Sequence, residues 1–78
     1  MSRVTGYRLS FRTVTAPDLS GFKWYTEAGC LFDARDYSHA HGIEAGDIDP
    51  QDVHAAQDAA GHLTEGEWLE ITHEAVTA

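Results

Sequence analysis

The chain has one cysteine and two prolines in 78 residues, and no Lys or Arg follows Arg35. No apolar run approaches the ~18 residues of a membrane span. A lone Cys30 forms no internal disulfide, which excludes the cross-linked framework of small secreted scaffolds and favours a reducing compartment. A free cysteine commonly behaves as a small hydrophobe, so this thiol is expected in the interior. The opening Met1-Ser2-Arg3-Val4 lacks the apolar stretch of a signal peptide, and the expectation is a cytoplasmic protein. No glycine-rich phosphate loop is present.

The scarcity of cations is positional. Arg3, Arg8, Arg12, Lys23 and Arg35 stand against Asp18, Glu27 and Asp33, giving residues 1–35 a net charge of +2. Residues 36–78 carry Asp36, Glu44, Asp47, Asp49, Asp52, Asp58, Glu65, Glu67, Glu70 and Glu74 with no Lys or Arg, a charge of −10 within the overall −8. Such a density of like charge costs self-repulsion in the compact state and points toward a partner; plain solubility is the competing explanation. The acidity argues against direct binding to nucleic acid or to anionic membranes, because both need a basic surface.

What remains is enough to fold. An apolar fraction of 42%, with two Trp, three Tyr and three Phe, suffices for one packed layer and argues against a disordered acidic tail. Residues 1–78 are read as a single compact domain, one small enough to bury only somewhat over ~60% of its unfolded surface.

Tyr7, Leu9 and Phe11 alternate with Arg8, Ser10 and Arg12, the period of a half-buried strand. Thr15–Gly21 gathers Pro, Asp, Ser and Gly as a loop. Phe22, Trp24 and Thr26 then alternate with Lys23, Tyr25 and Glu27, predicting a second strand paired with the first as an antiparallel hairpin. From Cys30 to His41 the apolar spacing is helical and Gly42 supplies a stop, although Cys30-Leu31-Phe32 equally fits an extension of the second strand. Asp49 suits an N-cap, Pro50 the first helical position and Asp52 the first turn; Val53, Ala56 and Ala60 form the apolar stripe, and Gly61 the end. Thr64-Glu65-Gly66-Glu67 has the form of a capping box, which would open a third helix. The alternation of Leu69, Ile71 and His73 fits a strand over residues 67–76 instead. The strand is preferred, since Gly66 weakens a first helical turn and two strands alone make a marginal sheet. The fold class is α+β: a small three-stranded antiparallel sheet with one or two helices on one face, in the order β-β-α-α-β.

Motifs for chemistry are few. Asp47-Ile48-Asp49-Pro50-Gln51-Asp52 resembles the start of a calcium loop, but the sixth position is Asp52 rather than Gly and the twelfth is Asp58 rather than Glu. His39 and His41 lie near Asp33 and Asp36, but residues two apart diverge on a helix. A third ligand from His54, His62 or His73 is specified by nothing local, so no metal site is assigned. Cys30 lies in no recognisable nucleophile motif, and a chain this short has little room for a pocket of the usual ~300–1,000 Å³. The expectation is a non-enzyme without cofactors and without catalytic residues.

The carboxylates are therefore the candidate binding residues: Asp36, Glu44, Asp47, Asp49, Asp52, Asp58, Glu65, Glu67, Glu70 and Glu74. Set on a rigid small domain, they can mimic the phosphate track of DNA and occupy a Lys- and Arg-lined groove on a protein partner. Trp68 or Tyr37, if exposed, would anchor such an interface; burial of Trp68 in the core is the competing reading. All five histidines lie in the acidic half, so protonation near pH ~6 is expected to offset part of its charge and weaken binding.

In size, acidity, single cysteine and compact α+β reading, the chain resembles the small phage-encoded anti-CRISPR proteins. The resemblance covers the character of the whole chain and rests on no motif, so no functional residue is carried over. It implies a stoichiometric inhibitor in the bacterial host cytoplasm that contacts Cas subunits of a Cascade-like complex and blocks target-DNA binding by masking a basic surface. The alternative is a small phage or bacterial accessory protein that self-assembles through a sheet edge as a homodimer or larger oligomer. A histidine-based metal sensor ranks third.

Overall fold

The expected alternation of the first strand extends well beyond Tyr7–Arg12, and β1 runs Val4–Thr15. It is followed by β2 (Trp24–Glu27), α1 (Ala34–His41), a single 3₁₀ turn (Ala45–Asp47), α2 (Pro50–Gly61) and β3 (Glu67–Thr77). The structure, a computed structural model, describes residues 3–20 and 23–78. The fold is α+β, with three antiparallel strands and two helices. The positions expected for Gly21 in the loop and Phe22 in the second strand lie outside the described residues.

The first two strands do not form the expected hairpin. The order is β1-β3-β2, with β3 antiparallel to both neighbours. Alternation fixes which face of a strand is buried, not which strand lies beside it. Here β3 matches β1 along its whole length, setting Leu9 opposite His73 and Phe11 opposite Ile71, whereas β2 offers only four residues. The tail is thus a strand, and the central one. Its Leu69 and Ile71 are each 1% exposed, as a strand flanked on both sides and roofed by helices requires.

Leu9, Phe32, Tyr37, Ile48, Ala56, Ala60, Leu69 and Ile71 form one core between the sheet and the helices. Trp24 and Phe11 close its margins. Val53, Ala56 and Ala60 face this core as the helical stripe predicts, with Asp49 capping α2 through Gln51 N and Pro50 at the first position. Gly61 is the last residue of α2 rather than its stop. The cap is His62 at φ −99°, whose Nδ1 bonds the Asp58 carbonyl at 2.7 Å and answers one of the orphan acceptors at the helix end. α1 begins later than Cys30. Asp33 accepts from the amides of Arg35 and Asp36 and starts the helix at Ala34, while Gly42 ends it in the left-handed conformation at φ 68°.

Cys30 belongs to neither helix nor strand. It closes a turn on the Glu27 carbonyl at 3.0 Å and is exposed, not buried. Phe32, two residues on, fills the interior instead. Tyr37 is fully buried and so is no surface anchor, while Trp68 is half-buried on the sheet face opposite the helices and outside the core. No helix is long and apolar enough to cross a membrane among the described residues.

Candidate functional site

The face of the sheet turned away from the helices carries the cations. Register places Arg12 opposite Glu70, and Glu70 opposite Tyr25. Glu70 accepts from Arg12 Nε at 3.1 Å and from Tyr25 Oη at 3.2 Å, and lies 3.6 Å from Lys23 Nζ. Burial raises the proton affinity of Glu70, but the Arg12 hydrogen bond, the charges of Arg12 and Lys23, and the Tyr25 hydroxyl outweigh it. The pKa lies below the ordinary carboxylate value. Glu70 is therefore an ionised hub inside the sheet, 8% exposed.

Arg8 reaches round the edge of β1 to α2, with Nε 3.0 Å from Asp52 and 3.8 Å from Asp49. The same Asp52 oxygen accepts from the backbone amide of Leu9 at 3.0 Å, and the Asp49 amide donates to the Tyr7 carbonyl at 3.0 Å. These contacts seal the outer edge of β1 between Tyr7 and Leu9, where unpaired strand groups would otherwise stand open. Glu67 is engaged as well. Its Oε1 accepts from the amide and hydroxyl of Thr64 at 2.8 and 2.6 Å, which holds the turn before β3 and lowers the Glu67 pKa.

Of the ten candidate carboxylates, Asp49, Asp52, Glu67 and Glu70 thus hold the fold together. Glu74 stands across from Arg8 on the open sheet face. Asp36, Glu44, Asp47, Asp58 and Glu65 are exposed on the helices and their connections. Glu70 takes up Arg12 and Lys23 within the sheet, and Asp49 and Asp52 at the start of α2 take up Arg8, so the negative charge left over on the helical layer is that of its other carboxylates. Arg35 is the one cation carried on α1 or α2.

A second cluster links α1 to β3. Tyr37 Oη lies 2.6 Å from His73 Nδ1, and His41 stacks on the Tyr37 ring at 4.0 Å. Burial pushes the Tyr37 phenol up to about 12, so it keeps its proton and donates to His73. Burial, and then the neighbouring His41, lower the His73 pKa and favour a neutral ring with an accepting Nδ1. His41 Nδ1 bonds the Tyr37 carbonyl at 2.8 Å; a carbonyl only accepts, so the proton sits on that nitrogen. With Trp24 edge-on to Tyr37 and to His41, the cluster fastens α1 to the sheet. It bounds a shallow cleft of about 200 Å³ with Lys23 and Trp24 on its wall. No three His, Cys, Asp or Glu side chains converge as metal ligands among the described residues. Sequence reasoning missed this cluster, although the alternation of Leu69, Ile71 and His73 already put His73 on the core side.

A third feature runs along β2. A groove of about 270 Å³ lies there between Trp68 and Leu31, with Glu27, Asp33 and Asp36 on its rim. Leu31 is 87% exposed. Compared with protein-family models and with curated proteins, the chain matches none.

Proposed function

We propose that the protein is a non-enzymatic inhibitor that binds a basic protein surface through the carboxylates of its helical layer. The observation that carries this reading is the unequal use of charge. Asp49, Asp52 and Glu70 take up the sheet cations, while Asp36, Glu44, Asp47, Asp58 and Glu65 stay exposed, with Arg35 alone beside them on the helices. Carboxylates fixed on a rigid scaffold raise the encounter rate with a cationic groove and impose its register. In the case suggested by the overall character of the chain, the groove belongs to Cas subunits of a Cascade-like complex. Occupying it would exclude target DNA, as an anti-CRISPR protein does, with the carboxylates in place of phosphates.

The test is a target-DNA binding assay on a guide-loaded Cascade-like complex, with the protein added stoichiometrically at low and at high salt. Inhibition at low salt, weakened at high salt and lost when Glu44, Asp47, Asp58 and Glu65 are replaced by Lys, is the expected result. DNA binding unaffected at equimolar protein rejects the Cas case. Sedimentation of the same sample as a tight oligomer would transfer support to self-assembly.

A further inference from the structure

Beyond the helical layer, the outer edge of β2 has the makings of a docking line. In β1 the Tyr7 carbonyl and the Leu9 amide point away from β3, toward Asp49 and Asp52. Antiparallel alternation then turns the backbone groups of Leu69 and Ile71 toward β2, where their partners are Thr26 and Trp24. The backbone groups of Tyr25 and Glu27 consequently point outward from the sheet. The Glu27 carbonyl is taken by the Cys30 amide, and among the described residues the Tyr25 amide, the Tyr25 carbonyl and the Glu27 amide have no backbone partner and form an open pairing unit.

The charged residues that line the groove beside this unit carry one sign, with Arg35 standing on α1 between two of them. Glu27 stands on the Trp68 side of the edge, and Asp33 and Asp36 stand on the α1 side. None of the three enters an ion pair among the described residues. Asp33 uses only Oδ1 to cap α1. Leu31 and Trp68 supply apolar surface between them.

We infer that the β2 edge takes an extended basic peptide segment of a protein partner as a fourth strand. This rests on the reading that the partner presents a basic surface, and it adds a second, main-chain contact to it. Side chains of an added strand alternate between faces. A Lys or Arg directed at Asp33 and Asp36 therefore alternates with an apolar side chain laid against Trp68. A second copy of this chain is the poorer occupant, because it would bring the same three carboxylates against their own kind.

The probe is an acetylated, amidated hexapeptide of alternating Lys and Val, titrated into the isotope-labelled full chain and followed by amide chemical shifts. The Glu-Val peptide of equal length is the control. Shifts centred on Tyr25, Glu27 and Leu31 are expected with the Lys peptide alone. Glu27→Pro removes the outward amide, which an edge strand tolerates, together with one carboxylate, and should weaken binding about tenfold beyond the loss caused by Glu27→Gln, which keeps the amide; that difference is the scale of one lost hydrogen bond. Leu31→Asn changes an exposed side chain without threatening the fold and should weaken binding a few-fold. Shifts confined to α2 and the 3₁₀ turn, insensitive to Glu27→Pro and Leu31→Asn, would overturn the groove and leave the acidic-layer reading intact. Absence of binding to the Lys peptide overturns the groove too, and the DNA-binding assay then decides the acidic layer separately.

Discussion

Tyr37 donates its hydroxyl across 2.6 Å to Nδ1 of His73, 36 residues further along the chain, and so joins α1 to β3. The donor is held protonated by burial, the acceptor is held neutral by burial and by His41, and the two shifts support each other. The bond therefore belongs to neutral pH.

Its pH dependence has a definite sign. The folded-state pKa of His73 is depressed, so the unfolded chain binds the extra proton more readily. The contribution of His73 is complete above ~6.5, the unfolded value, and is lost as the pH falls through the folded value. Asp18, Glu67 and Glu70 are depressed carboxylates, whose contributions persist until the pH falls below ~4.5. Thermal unfolding is expected to show a melting temperature that declines between about pH 7.5 and 5.5. His73→Phe should flatten that decline while lowering stability at neutral pH by about 1–3 kcal/mol, because Tyr37 Oη loses its acceptor. Parallel pH curves for the two proteins would reject the assignment.

Asp52 yields a second prediction. One oxygen accepts from both the Leu9 amide and Arg8 Nε, so it seals a strand edge as well as pairing a charge. Asp52→Ala leaves a part-buried amide without an acceptor and should cost about 1–3 kcal/mol in urea unfolding. Asp52→Asn keeps an oxygen in place and should cost distinctly less. The Leu9 amide should also exchange with solvent faster in Asp52→Ala than in Asp52→Asn. Equal stability and equal exchange in both variants would show that the carboxylate does not guard the edge.

Much of this fold was legible in local pattern. The alternations around Leu9 and Ile71 identified two strands and their buried faces, and Asp49-Pro50 marked the start of α2, because those signals arise within a few residues of chain. The strand order was not legible. Alternation is equally satisfied by β1 beside β2 or β1 beside β3, and only the length of the match separates the two. The charges of Asp52, Glu67 and Glu70 could be read from the sequence, but their engagement could not. Their partners are the Leu9 amide, Thr64, and the cations Arg8, Arg12 and Lys23, most of which only the tertiary fold brings near. Tyr37 and His73 were hidden for the same reason, since no spacing rule spans α1 and β3.

Cys30 illustrates where a residue-type average gives way to local geometry, and it supplies the third prediction. Free cysteine tends inward, yet the turn closed by the Cys30 amide on Glu27 leaves this side chain exposed and gives the interior to Phe32. The folded protein should therefore yield its full thiol to an aromatic disulfide reagent in native buffer, at a rate within about threefold of that in denaturant, because accessibility and not unfolding sets the rate. Cys30→Ser should shift stability by no more than ~0.5 kcal/mol, as expected for an exposed position. A thiol that reacts only after denaturant is added, or a serine variant that melts far lower, would return Cys30 to the interior. It would also reopen the path of the chain between β2 and α1, and with it the wall of the groove formed by Leu31.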